Sequence, residues 1–120
     1  MELQPPDICL EVEPRSDVIV ARFTREVVLS GQVAESAAER LQSLLPDLGH
    51  RRLLVDFGNV ASLTSLMLVK LIRLNQATEA AGGRLALFNV PPIIRDIFDV
   101  TRLNLILLLY DDESAALRDS

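Results

Sequence analysis

Few residues of this chain have the type and spacing that catalysis needs. The chain has 120 residues, with a single His and a single Cys. His50 stands alone, so it cannot form a His-based metal site, and we expect it to be solvated or to cap helix carbonyls. The lone Cys9 can form no internal disulfide, which indicates a reducing compartment.

The acidic residues do not assemble into a catalytic pattern either. Asp56 ends an apolar run, where α/β proteins often place functional groups, but no second carboxylate, Lys or His follows closely. We therefore expect its carboxylate to bond to nearby backbone. In Asp111-Asp112-Glu113 we expect Asp111 to cap a short terminal helix and the other two acids to favour its dipole.

The glycine pattern contains no phosphate-binding loop, since Gly82-Gly83 follows a predicted helix instead of preceding one. This pair is better explained as a helix C-cap. The sequence thus predicts no catalytic residue, no cofactor and no metal ligand. An enzyme or a small-molecule sensor would need distant residues to converge in a polar pocket.

Composition narrows the choice of partners. Half of the chain is apolar (49%), but only 4% is aromatic, and the net charge is −5. Without clustered Lys and Arg, nucleic acid is excluded as an expected partner. The absence of an apolar run of about 18 residues argues against a membrane helix. The N-terminus lacks the features of a signal peptide, so the predicted location is cytoplasmic.

Apolar periodicity predicts a single α/β domain over residues 1–120, with 1–7 as a loose tail. A hairpin comes first, and helices then alternate with apolar strands, which indicates a mostly parallel sheet with the run 53–57 at its centre. The predicted order is β-β-α-β-α-β-α-β-α. Its strands are 8–12, 18–23, 52–57, 84–90 and 105–110, with 58–63 as a connection, and its helices are 32–45, 65–81, 91–100 and a short one around 115–117.

The stretch from Arg52 to Val90 resembles the STAS family, which includes the bacterial anti-sigma factor antagonists. That family has a strand of Leu-Asp-Leu type, then a Val, Asp-Ser-Ser-Gly at the head of a helix, a glycine turn and another strand. The matching segments here are Val55-Asp56-Phe57, Val60, Ala81-Gly82-Gly83 and Leu85 to Val90. Ile97 to Leu103 resembles the end of the third helix and the loop after it, so the resemblance extends over nearly the whole chain.

One segment departs from the family pattern. Thr64-Ser65-Leu66-Met67 stands where the family has Asp-Ser-Ser-Gly. The resemblance implies that Ser65 is the phosphorylated residue, with Thr64, in the position of the Asp, the less favoured acceptor. The alternative to phosphorylation is that Ser65 is an ordinary first-turn serine that follows a capping threonine.

The same helix start is the predicted partner-binding surface. The resemblance implies that the partner is an anti-sigma factor, often one with a serine kinase fold. Apolar side chains surround the first two turns of the predicted helix, whereas packing on a sheet needs only a stripe, so we expect Leu66 and Val69 to be exposed. The alternatives are that a neighbouring helix covers these residues, or that the chain is a structural STAS subunit without phosphorylation; homo-oligomers are compatible with either. The predicted contact residues are Thr64, Ser65, Leu66, Met67, Val69, Lys70 and Arg73.

Overall fold

A five-stranded sheet with an N-terminal hairpin forms the centre of the molecule. The structure is a computed structural model and describes residues 8–118. The predicted tail, residues 1–7, lies outside the described residues, and the domain bounds 1–120 stay a prediction. The strands are β1 (Leu10–Pro14), β2 (Val18–Phe23), β3 (Val27–Leu29), β4 (Arg52–Asp56), β5 (Val60–Leu63), β6 (Arg84–Phe88) and β7 (Leu108–Tyr110). The helices are α1 (Gly31–Gln42), α2 (Ser65–Ala80), α3 (Pro92–Val100) and α4 (Glu113–Arg118).

The sheet has the order β1-β2-β4-β6-β7 and is antiparallel only between β1 and β2. The α/β fold, the mostly parallel sheet and the N-terminal hairpin are therefore confirmed. In the central strand β4, Leu53, Leu54 and Val55 are all fully buried. Successive strand residues point to opposite faces, so a continuous apolar run requires both faces to be covered.

Helices cover the two faces of the sheet unequally. The larger apolar cluster joins one sheet face to α1, α2 and α3, through residues such as Leu41, Leu71 and Phe98. The opposite face packs on α4 through Ala116. None of the helices between residues 8 and 118 has both the length and the apolar character needed to span a membrane.

Two short strands, β3 and β5, depart from the predicted order. They pair with each other in parallel as a separate two-stranded sheet. The segment 58–63, predicted as a connection, therefore contains a strand directly before α2. Strands of three and four residues that pair across 33 positions leave no local periodicity, because each is stabilised by the distant partner.

Several predicted element ends also shift: β1 lies two residues later than predicted, β6 ends two residues earlier, and two other ends move by three residues. Helix α1 ends at Gln42 instead of residue 45, and a 3-10 turn over Leu45–Asp47 follows it. Strand β7 begins at Leu108 instead of residue 105, because Leu103–Leu105 form another 3-10 turn. At both places an apolar run continues beyond the regular element, so the apolar pattern alone overstates the element's length.

The glycine turn after α2 confirms the predicted helix end. Gly82 and Gly83 are each required there, for different reasons. Gly82 adopts φ +91°, which side chains disfavour. Gly83 is buried, and a Cβ atom there would lie 2.6 Å from both the Arg51 carbonyl oxygen and Leu48 Cδ2. The second glycine therefore allows β6 to begin close against the segment before β4.

We expect Gly83→Ala to lower the free energy of unfolding by about 1–3 kcal/mol, since backbone and core atoms must shift to admit the methyl group. Urea unfolding monitored by circular dichroism measures the change. Gly58→Ala is the matched control, because its Cβ would meet the Asp56 side-chain oxygen at 3.1 Å, which requires a much smaller shift than a contact of 2.6 Å with backbone. An equal loss in both variants would contradict the packing explanation.

Candidate functional site

The start of α2 is held by the small β3–β5 sheet. The Thr64 N–H donates to the Leu29 carbonyl at 3.2 Å, and the Thr64 carbonyl accepts the first helical N–H groups, from Met67 and Leu68. Thr64 has extended backbone angles and so occupies the predicted N-cap position, but its side chain makes no capping bond. Its hydroxyl is directed to the Leu29 carbonyl at 3.5 Å instead.

Ser65 is the first residue of α2 and is exposed. At this position the helix dipole is positive, and the N–H groups that precede those of Met67 and Leu68 have no helix carbonyl to donate to. A negative group on the Ser65 hydroxyl would therefore meet a favourable local field. The structure thus places the predicted acceptor where added charge does not threaten the fold.

An exposed stripe continues from Ser65 along the helix. Leu66 and Val69 are exposed, at 45% and 44% respectively. Lys70 is half-buried and Arg73 is exposed, and these four residues follow the i, i+3, i+4, i+7 spacing of a single helix face. The expectation that Leu66 and Val69 are exposed is confirmed. We call Thr64, Ser65, Leu66, Val69, Lys70 and Arg73 the α2 surface.

Met67 was predicted as a partner contact, and the structure contradicts that prediction. Its side chain is only 1% exposed and belongs to the main core cluster. It lies on the opposite face of α2, in line with Leu71 and Leu74, which are also buried. Because i, i+4 and i+7 share a face, the residue that packs on the sheet cannot also meet a partner.

Val28 is an exposed residue beside the α2 surface that the sequence did not single out. It is the middle residue of β3 and 48% exposed, while Val27 and Leu29 on either side are buried. It is paired with Ser62 of β5, two residues before Thr64. The alternation in Val27-Val28-Leu29 carries no signal in the sequence, since all three residues are apolar.

Charged residues border the far end of the α2 surface. Lys70 and Arg73 line a surface groove of about 120 Å³, together with Glu35 and Glu39 of α1. The apolar start of the surface thus gives way to a mixed polar end. Protein interfaces likewise combine an apolar part with polar residues at its border.

The Asp56 carboxylate bonds to nearby backbone, as predicted. Its carboxylate accepts a hydrogen bond from the Gly58 N–H at 2.8 Å and another from the Asn89 amide at 3.3 Å. Arg22 lies 3.5 Å from the second carboxylate oxygen. Asp56 therefore fixes the loop after β4 and the end of β6.

The sequence did not foresee the ion-pair network around Arg22, whose members are far apart in the chain. Arg22 lies 3.2 Å from Glu113 of α4 and 3.6 Å from Glu13 of β1, and Arg15 lies 3.5 Å from Glu113. The hydrogen bond to Glu113 is the largest cause of a raised Arg22 pKa. The charges of Glu113, Asp56 and Glu13 add to it, against the effect of burial. The network holds α4 on the sheet, which gives these charges a structural role.

The other residues considered for chemistry are the acidic residues before α4 and His50. Asp112, and not Asp111 as predicted, caps α4 by accepting the Ala115 N–H at 2.8 Å. Asp111 instead pairs with Arg95 at 3.1 Å, an ion pair that only the fold brings together. His50 is exposed. Within residues 8–118, no group of three or more His, Cys, Asp or Glu side chains is arranged to hold a metal ion.

The fold and the α2 surface define a small α/β domain that presents one face of a helix beside a mostly parallel sheet. The chain belongs to the STAS family, because residues 20–110 match the family model described as "Mlab, STAS domain". The comparison with curated proteins found no match.

Solved structures with the same fold include anti-sigma factor antagonists and a sulfate transporter family protein. One is an anti-sigma-factor antagonist (STAS) domain protein from Planctomyces limnophilus, with 20% identity, 90% of this chain and 94% of that chain covered, and a TM-score of 0.78. The anti-sigma factor antagonist SpoIIAA in its unphosphorylated form is 18% identical, with 91% of this chain and 94% of that chain covered and a TM-score of 0.72. A sulfate transporter family protein from Wolinella succinogenes is 15% identical, with 83% of this chain and 81% of that chain covered and a TM-score of 0.66. At these identities the likeness shows the fold alone.

Proposed function

We propose that this chain is a regulatory protein-binding module that acts as an anti-sigma factor antagonist, and that it is not an enzyme. Its partner is an anti-sigma factor with a serine kinase fold, bound in the cytoplasm through the α2 surface. Phosphorylation of Ser65 by that kinase ends the binding. The observation that carries the proposal is the exposed Ser65 at the start of α2, directly beside the exposed Leu66.

The α2 surface has the composition that binding requires. Leu66 and Val69 expose apolar area on a helix whose other face is already packed, so a partner that covers them removes that area from water. Lys70 and Arg73 add positive charge at the polar end of the same face. By the family resemblance, ATP is bound by the partner kinase, so this chain needs no cofactor.

The position of Ser65 explains how one modification can end binding without unfolding the domain. A phosphate adds a charge of about −1.5 to −2 at neutral pH. Near the N-terminus of α2 this charge is tolerated by the fold. Against the apolar atoms of a partner that covers Leu66 it must lose its water, which is unfavourable unless a cation pairs with it.

Affinity capture from an extract of the native organism, followed by intact-mass analysis of the bait, tests the proposal. We expect a kinase-fold protein to be captured and, with Mg-ATP, to add one phosphate to the wild-type chain. Ser65→Ala should be captured equally and receive none, while Thr64→Ala should still be modified. If the captured partner leaves wild type unmodified, or modifies Ser65→Ala, the proposed switch is wrong.

The second candidate is a structural STAS subunit of a larger assembly that is never phosphorylated. The replacement of Asp-Ser-Ser-Gly by Thr64-Ser65-Leu66-Met67 favours it, since the acidic residue next to the acceptor is missing and Met67 serves the core. The transporter-family protein with the same fold supports it as well. This candidate predicts capture of a stable assembly and no phosphate on any residue.

A further inference from the structure

Helix α3 presents apolar side chains on two faces, although the sheet needs only one of them. Ile94 and Phe98 are fully buried in the core. Ile93 and Val100, on a different face, are 66% and 84% exposed, and the half-buried Ile97 lies between them. Positions 93, 97 and 100 follow the i, i+4, i+7 spacing, so they form a continuous stripe along the outer side of α3.

This stripe forms a shallow groove with one charge in it. Ile93, Asp96, Ile97, Val100 and Thr101 line a surface cavity of about 350 Å³, which we call the α3 groove. Asp96 is exposed and is the single charged residue among these lining residues. Exposed apolar surface with a polar group beside it is typical of a binding site for another protein.

The turn after α3 and the start of β7 expose further apolar residues. Leu105 and Ile106 are 75% and 53% exposed, and Leu108 at the start of the edge strand β7 is 36% exposed. Five of the eight large apolar residues that are exposed in the described chain therefore fall between positions 93 and 108. The other three are Leu66 and Val69 of the α2 surface and Val28, so none of the five lies on the helix that carries the proposed switch.

The charge of Asp96 decides which occupant suits the groove. If two copies of α3 packed antiparallel about the middle of the stripe, their Asp96 carboxylates would lie close together at the centre and repel. An anionic membrane surface is equally disfavoured by Asp96 and by the exposed Asp99. A cationic group on the occupant, by contrast, pairs with Asp96 while apolar groups cover Ile93 and Val100.

We propose that the α3 groove binds an amphipathic helix of a partner protein. That helix carries apolar residues at i, i+4 and i+7 and a Lys or Arg between them that faces Asp96. Helices dock into apolar grooves through anchors at this spacing. The domain then holds one partner through α3 while its α2 surface is free to engage or release another.

The test uses the full chain and two synthetic helical peptides of about 15 residues, near the shortest length at which isolated helices are populated. Both carry Leu at i, i+4 and i+7; one has Lys and the other Glu at the position facing Asp96. We expect the Lys peptide to bind about fivefold more tightly, the upper range for an exposed ion pair. Fluorescence anisotropy measures affinity, and amide chemical shifts should change at Ile93, Ile97 and Val100.

Two variants make the result specific. Asp96→Lys should reverse the preference between the peptides, because it reverses the charge in the groove. Val100→Asp should weaken the Lys peptide about tenfold, because it places a second carboxylate in the apolar stripe that the peptide must bury. Equal binding of both peptides to wild type, or shifts at Leu66 and Val69 instead, would overturn the proposal. Self-association that Val100→Asp abolishes would show that a second copy occupies the groove, and would overturn it too.

Discussion

Ser65→Asp is expected to weaken binding of the proposed anti-sigma partner at least about tenfold while leaving thermal stability close to that of wild type. Near the N-terminus of α2, a negative charge is favourable to the fold by about 0.3–1 kcal/mol. Against the apolar atoms of a partner, the same charge must be desolvated, which costs several kcal/mol when no cation pairs with it. Each 1.4 kcal/mol corresponds to about a tenfold change in affinity. Calorimetric titration and thermal denaturation measure the two effects separately.

Two control variants distinguish the switch from the interface. Leu66→Asp should lose binding whether or not Ser65 is ever modified, because Leu66 is exposed at 45% and would be covered by the partner. Ser65→Ala should bind like wild type. If Ser65→Asp binds normally while Leu66→Asp does not, the interface is right and the switch is wrong. Normal binding by both acidic variants would place the partner elsewhere on the molecule.

The neighbouring residues Leu66 and Met67 should differ widely in their effect on stability. Met67→Ala is expected to lower the free energy of unfolding by about 2–5 kcal/mol, because Met67 is 1% exposed and its loss leaves a cavity in the core. Leu66→Ala removes a half-exposed side chain and should cost about 0.5 kcal/mol or less, as surface substitutions usually do. Urea unfolding of the two variants under the same conditions gives both values.

This comparison also tests the orientation of α2. Met67→Ala should still bind the partner whenever it is folded, whereas Leu66→Ala should be stable but bind less tightly. If the large loss of stability fell on Leu66 instead, α2 would be rotated about its axis relative to the sheet. The α2 surface would then have to be redrawn around Met67.

The structural-subunit candidate uses the same α2 surface but does not require phosphorylation. A structural subunit needs the apolar residues Leu66 and Val69, and it has no requirement for a hydroxyl at position 65. Binding by Ser65→Ala is therefore expected under both candidates. The phosphate on wild-type Ser65 is the result that separates them.

The sequence by itself determined the main elements and their order. The unbroken run Leu53-Leu54-Val55 required a strand covered on both faces, and alternation marked the hairpin of β1 and β2. Thr64 before an apolar run and Gly82-Gly83 after it marked both ends of α2 to within a residue. These signals are local, because caps, turns and periodicity depend on residues a few positions apart.

Only the tertiary structure decided that Met67 belongs to the side of α2 that faces the sheet. Residues 66–69 are all apolar, and although the exposure of Leu66 and Val69 was predicted correctly, the sequence placed the buried Met67 on the partner surface as well. The contacts of Arg22 with Glu113 and the pairing of β3 with β5 join positions 91 and 33 apart, respectively, and leave no local pattern. Such pairs form because the folded chain brings them together, and each is stable only in that arrangement. The burial of Met67 and the α3 groove are therefore properties of the assembled fold.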